Sequence, residues 1–271
     1  MHPQKASGLK LRSGFDLLAM LIGLMCAAVS PAAAQSMLDH VDMSQPAMTI
    51  PQMTRDEVAN AAKPGADLSQ AKLATLDLSG LDLSGIRLHG AYLNNADLSG
   101  ANLDGAVLDQ AWALDADLSG ASLRGASLFS SQMHRANLTG ADLTGARITA
   151  DLTNATLTDA TFTGANLGAD LKNQSMGLVR AVLRSAQLDG ANLSGTNLAR
   201  VNFEFASMKG VDLSDADLTG AFLAGADLTG AILHGARFSG ADLASARIVD
   251  AKGEAEADWE GARHLDRIRR K

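Results

Sequence analysis

Between Gly65 and Asp250 the chain repeats one five-residue unit: a small residue, a polar residue, leucine, serine or threonine, then glycine. Ala96-Asp97-Leu98-Ser99-Gly100 runs directly into Ala101-Asn102-Leu103-Asp104-Gly105, and Ala141-Asp142-Leu143-Thr144-Gly145 and Ala226-Asp227-Leu228-Thr229-Gly230 repeat the pattern. A period of five fits neither the helix, at about 3.6 residues per turn, nor the strand, at about 2. The chain must therefore turn once per unit, and a fixed short period marks a solenoid. Central positions run in fives from Leu68 to Ile148, then from Leu152 to Leu167, through Leu171 and Met176, and from Leu183 to Ile248. Leucine fills 28 of these 37 positions, with Phe162, Phe203, Phe238, Met133, Met176, Met208, Ile148 and Ile248 in most of the others. Alanine dominates the position two residues earlier. One large and one small inward side chain per unit would fill a narrow shaft, and glycine would serve a corner that needs positive φ. The low aromatic content, 4%, fits a shaft too narrow for many rings.

This pattern resembles the pentapeptide-repeat proteins, whose unit is a small residue, Asp or Asn, Leu or Phe, Ser or Thr, and Gly. The resemblance implies an all-β solenoid, a right-handed quadrilateral β-helix with four units to a coil and short helical caps at each end. About nine coils stacked at roughly 4.8 Å would make a rod on the order of 45 Å long.

Residues 1–34 read as a signal peptide. Lys5, Lys10 and Arg12 precede an apolar run from Leu17 to Val29, and Ala32-Ala33-Ala34 offers small residues for cleavage. That run is too short to span a bilayer stably, so no transmembrane segment is expected in the mature chain, which would be periplasmic or secreted. Cleavage near Ala34 removes Cys26, the one cysteine, and with it any disulfide. The formal net charge is −7, and losing the basic leader makes the remainder more acidic. Direct nucleic-acid binding, which needs a basic face, is not expected.

Residues 35–64 are expected to form a linker and a short capping helix over 55–62, started by the capping box Thr54-Arg55-Asp56-Glu57 and stopped at Lys63-Pro64-Gly65. The β-helix follows over 65–250. Residues 251–271 are expected to form a C-terminal helix, because Glu254, Glu256, Asp258 and Glu260 lead and Arg263, Arg267, Arg269 and Arg270 follow, which suits the helix dipole. Trp259 and Leu265 would seat it on the last coil, or serve a homodimer as terminal helices do in some family members. The repeat shortens to four residues from Ile148 to Leu152 and from Leu167 to Leu171, then lengthens to seven from Met176 to Leu183. This pattern suggests either a kink or presented loop, or a neutral scar.

Four coil positions apart, Tyr92 and Trp112 occupy the same outward slot on successive coils, with Leu114 beside them and Ala113 in a central slot. Exposed aromatics are typical of binding hot spots, so these residues are candidates for a partner site; the alternative is a register slip that turns Leu114 inward. Asp77, Asp97 and Asp117, continued by Asn137, form an acidic column suited to a cation or basic partner, or simply to solvation. Met37, His40, Met43, Met48 and Met53 offer ligands for Cu(I) or a degenerate first coil. His89, His134 and His234 fall at separate positions, and no motif of nucleophile, base or phosphate loop is present. No catalytic residue, metal site or cofactor is assigned. The sequence therefore reads as a non-enzymatic, exported protein-binding or scaffolding module. An alternative is a DNA-mimicking inhibitor or protector of DNA gyrase, as some family members are, and a weaker one is a metal-binding periplasmic protein.

Overall fold

The computed structural model describes Asp42 and residues 44–169 and 179–270. The chain climbs as a β-helix whose successive coils are joined by parallel bridges in four ladders. Face A runs from Asp67 through Ser127 and Arg147 to Asp258. Face B runs from Lys72 through Tyr92, Trp112, Gln132, Asp151, Val182, Asn202, Phe222 and Asp242 to Arg263. Face C runs from Asp77 through Asp97, Asp117 and Asn137 to Arg269, and face D from Asp82 through Ser122 and Asp142 to Lys252.

The repeat explains this geometry atom by atom. The N–H of central Leu98 donates to the Asp117 carbonyl of the following coil at 2.6 Å, while the N–H of outward Asp97 donates to Leu76 of the preceding coil at 2.9 Å. Each corner closes locally, as where Ala101 N–H donates to Leu98 O at 3.0 Å. Backbone groups are thus satisfied along the rod axis. Leu98, Leu103 and the central leucines from Leu73 onward among the described residues are fully buried, as are Phe162, Phe203 and Phe238.

The fifth residue of the unit sits in the left-handed region, whether it is glycine (Gly100, φ 62°) or not (Thr75, φ 62°; Asp115, φ 56°; Phe205, φ 60°). For a β-branched residue such as Thr75 this conformation is strained by about 1–2 kcal/mol. Thr75 is exposed, so Thr75→Gly is expected to stabilise the rod by roughly 0.5–1 kcal/mol after subtracting glycine's greater unfolded freedom. A thermal melt checks this, and a lowered midpoint would contradict it.

At the first shortened unit the chain stays extended. β1 (Ser127–Gln132) and β2 (Arg147–Asp151) pair in parallel. Register holds from Ser127↔Arg147 to Phe129↔Thr149 and resumes at Gln132↔Asp151, so two residues oppose one across a bulge. At the second irregularity Ala181 N–H donates to Leu167 O at 3.1 Å, the corner bond that normally links adjacent units, and the ladders pass from Asn166 on face A directly to Val182 on face B. Among the described residues the coil thus continues from Ala169 to Ala181 through one corner; Leu171 and Met176, assigned to central slots from spacing, lie outside the described residues.

Before the coils, α1 (Pro46–Thr49) and α2 (Arg55–Ala61) are helical. Thr54 accepts from Glu57 N–H while Glu57 Oε2 accepts from Thr54 N–H at 2.7 Å, and α2 buries Val58 in the main core cluster. Met48 lies in α1, so the reading of Met43, Met48 and Met53 as a degenerate coil does not hold.

The expected helix over 251–271 is not formed among the described residues 251–270. Lys252, Asp258, Arg263 and Arg269 instead extend the four ladders, and only Leu265–Arg267 takes a short 3-10 turn. Gly253 (φ 74°) and Gly261 (φ 64°) turn the chain as the corners above do. The exposed edge of the last coil offers backbone partners that a helix would forgo. The charges pair upward instead of along a helix: Arg263 meets Asp242 at 3.4 Å and His264 Nδ1 meets the same carboxylate at 2.8 Å.

Candidate interaction face

The four faces differ in chemistry. Face A mixes charges, with Arg237 Nη2 3.0 Å from Asp217, and face D carries Asp82 and Asp142 among polar residues. Face B presents Tyr92, Trp112, Val182 and Phe222 in its outward slots.

At its upper end Trp112 and Leu114 point outward, as the sequence suggests, but they are not open. Trp112 is 8% exposed and Leu114 5%, because Met48 (5%) packs on them together with Tyr92. No register slip occurs: Ala113 keeps its central slot and donates its N–H to Gln132 O at 2.7 Å. The expectation of an exposed patch missed this cover because residues 35–64 carry no repeat and read as a linker. The buried Asn94 accepts from Leu114 N–H at 3.0 Å and donates from Nδ2 to Met48 O at 3.4 Å.

Midway along the face, His134 lies against Asp151, Nε2 to Oδ2 3.1 Å, with side chains 6% and 15% exposed. The approach is close but too bent for a well-aligned hydrogen bond from the imidazole. Thr153 donates to Asp151 Oδ1 from its N–H at 3.0 Å and its hydroxyl at 2.6 Å. Burial pushes the Asp151 carboxyl up, yet His134 and Thr153 together outweigh it and hold the group below the ordinary carboxylate value. His89, on the corner after face A, and His234, 3.2 Å from Glu256 after face D, do not join His134.

Towards the lower end, Arg180 stacks over Phe222 at 4.6 Å and Arg184 over Phe205 at 5.5 Å. Phe205 is 57% exposed, one of two large hydrophobics so exposed among the described residues; Ile50, next to α1, is the other. The Phe205 ring lies over Gly225, where a Cβ would come within 2.6 Å of it. Burial lowers the pKa of Arg180 and nearby Arg200 lowers it further, while Glu204 opposes both. The sequence reading missed this cluster. The available signals were a phenylalanine at a corner position that favours glycine and another in an outward slot.

The acidic column does stack on face C, but its carboxylates are engaged. Asp77 accepts from Ser79 N–H at 3.0 Å and from Arg55 Nη1 at 2.8 Å; Asp97 accepts from Ser99 N–H at 2.9 Å; Asp117 accepts from Ser119 N–H at 2.9 Å and from Asn137 Nδ2 at 3.0 Å. These aspartates shape corners by bonding two residues ahead. Among the described residues no group of three or more His, Cys, Asp or Glu is placed to hold a metal ion. Met37, His40 and Met43 lie outside the described residues, and the Met48 thioether faces Asn94 Nδ2 at 3.4 Å. At the lower end of the rod, Trp259 stacks on Phe238, ring centroids 4.3 Å apart and planes 8° from parallel, and Leu265 packs against the same core. Among the described residues no helix is long and apolar enough to cross a membrane.

A coiled shaft built from five-residue units defines a class of protein as well as a shape. The family model for pentapeptide repeats matches eight copies over residues 76–110, 115–147, 148–173, 178–215 and 206–244, and the chain belongs to this family, whose solved members fold as right-handed β-helices. It is similar to HetL, a pentapeptide repeat protein involved in heterocyst differentiation regulation in the cyanobacterium Nostoc sp. strain PCC 7120, at 27% identity over 78% of this chain and 94% of that one, with a TM-score of 0.42. It is also similar to full-length QnrB1, a plasmid-mediated fluoroquinolone resistance protein, at 17% identity over 73% and 88% with a TM-score of 0.29. A pentapeptide repeat protein of the Arabidopsis thaliana thylakoid lumen is 24% identical over 56% and 68%, with a TM-score of 0.23. No curated protein sequence matches the chain.

Proposed function

We propose that this protein is an exported, non-catalytic rod that binds a protein partner through face B. The carrying observation is the cluster around Phe205, an aromatic ring 57% exposed with Arg184 above it and Arg180 on neighbouring Phe222. Aromatic and arginine side chains are the types enriched at binding hot spots, and here they project from the outer surface of the coils. Residues 1–34 supply the support for export. A photo-crosslinking residue at position 205, introduced in the producing cell, is expected to give a discrete adduct that the same residue at Asp142 on face D does not. Equal labelling at both positions, or none at 205, sinks the reading.

The aspartates of faces C and D favour a second reading, a DNA-mimicking inhibitor or protector of gyrase. It requires the protein to remain in the cytoplasm. A supercoiling assay unchanged by added protein removes it.

A further inference from the structure

The upper end of face B is a built surface with one occupant already on it. Its floor is rigid, because Tyr92, Trp112 and Leu114 flank central residues locked in the shaft. Its polar contact is oriented as well. The Leu114 N–H must meet an acceptor, so Asn94 turns Oδ1 to it at 3.0 Å and leaves Nδ2 to donate outward. The outward donor meets the Met48 carbonyl and thioether, each at 3.4 Å. A main-chain carbonyl and one unbranched apolar side chain are together what a peptide segment supplies.

The occupant is lightly held. Met48 is its one buried side chain among the described residues of 42–50, while Ser44, Pro46, Thr49 and Ile50 are exposed. The bond from Asn94 to the Met48 carbonyl, at 3.4 Å, is longer than the usual N–H···O range of about 2.7–3.2 Å. What keeps the segment in place is its tether, pinned to the first coil where Gln52 N–H donates to Lys72 O at 2.9 Å. A short tether presents its end at an effective concentration on the order of millimolar, enough to exclude weak competitors from the surface.

We propose that the Tyr92–Asn94–Trp112–Leu114 surface is a peptide-docking site, closed by the chain's own residues 44–50 through Met48 and opened when a partner peptide bearing an unbranched apolar side chain displaces them. This rests on the protein-binding reading of face B and adds a gate to it. Closed, the rod offers its partner the Phe205 end alone; open, it offers the whole face.

The test uses the full chain and a fluorescein-labelled peptide of residues 42–52, read by anisotropy. Met48→Ser loosens the occupant and leaves every coil residue in place. The peptide is expected to bind this variant roughly tenfold or more tightly than the wild type, which the tether protects. Trp112→Ala in the Met48→Ser background is expected to abolish that binding, with unchanged far-UV circular dichroism; if this substitution disturbs the rod, Tyr92→Ser serves in its place. Equal affinity for wild type and Met48→Ser, no binding to Met48→Ser, or binding indifferent to the aromatic floor overturns the proposal. Crosslinking at position 205 is independent of each of these results, so the gate can fail while the binding face stands.

Discussion

Phe203→Ala is expected to cost about 3–5 kcal/mol, the usual range for emptying a fully buried phenylalanine site. Phe203 is 0% exposed and lies in a coil with described coils above and below, its N–H bonded to Phe222 O at 2.7 Å. The shaft cannot collapse around the missing ring, because the bonds that set coil spacing run through backbone that the substitution leaves intact. A loss of this size is a large part of the 5–15 kcal/mol that typically stabilises a domain. In a solenoid each unit leans only on its neighbours, so the position of the defect matters. Phe238→Ala should fray the C-terminal end, where Trp259 stacks, whereas Phe203→Ala should uncouple the two halves. Urea unfolding followed by circular dichroism and by tryptophan fluorescence distinguishes them. Trp112 lies in the upper half and Trp259 in the lower, so Phe203→Ala should give transitions that no longer coincide. A single coincident transition with an unchanged midpoint would contradict this account of the core.

The repeated part of this fold was legible because each unit carries the same instructions. Leucine, alanine and a left-handed fifth residue fix inward face, outward face and corner without reference to distant sequence. Reading failed wherever the outcome depended on a partner that spacing does not reveal. Spacing alone did not show that Ala181 would bond to Leu167 as the next corner. Charge order suggested a helix over 251–271, and the open edge of the last coil overrode it, drawing Arg263 and His264 to Asp242. At the candidate site the sequence found Tyr92, Trp112 and Leu114 but not Met48, which lies far from them in the chain and outside the repeat. Phe205, Arg180 and Arg184 were hidden for a related reason. Val182, Asn202 and Phe222 stack at the regular interval, but which side chains reach one another across those coils is not set by spacing.

The largely buried carboxylate at the centre of face B should set part of the rod's response to acid. The Asp151 carboxyl lies below its ordinary value, since burial raises it but His134 and Thr153 more than offset that. A group depressed in the folded state stabilises it above the unfolded pKa, near 3.9, and that contribution is lost as pH falls through the folded value. Asp142, Asp217 and Asp242 are likewise held low against burial, by Thr144 and Arg124, by Thr219 and Arg237, and by His264, the Ala244 N–H and Arg263. Stability should therefore change little on this account between about pH 5 and 8 and fall below about pH 4. Asp151→Asn keeps an acceptor for the Thr153 N–H and hydroxyl but removes the charge facing His134. It is expected to cost about 2 kcal/mol at pH 7, the scale of a hydrogen bond to a charged group. The deficit should shrink as wild type takes up its proton, so that the two stability curves converge only once pH has fallen below the depressed folded value. Urea midpoints measured for both proteins across this range decide the matter. A difference independent of pH would assign the effect of the substitution to packing, and a difference that grows in acid would reverse the sign argued here.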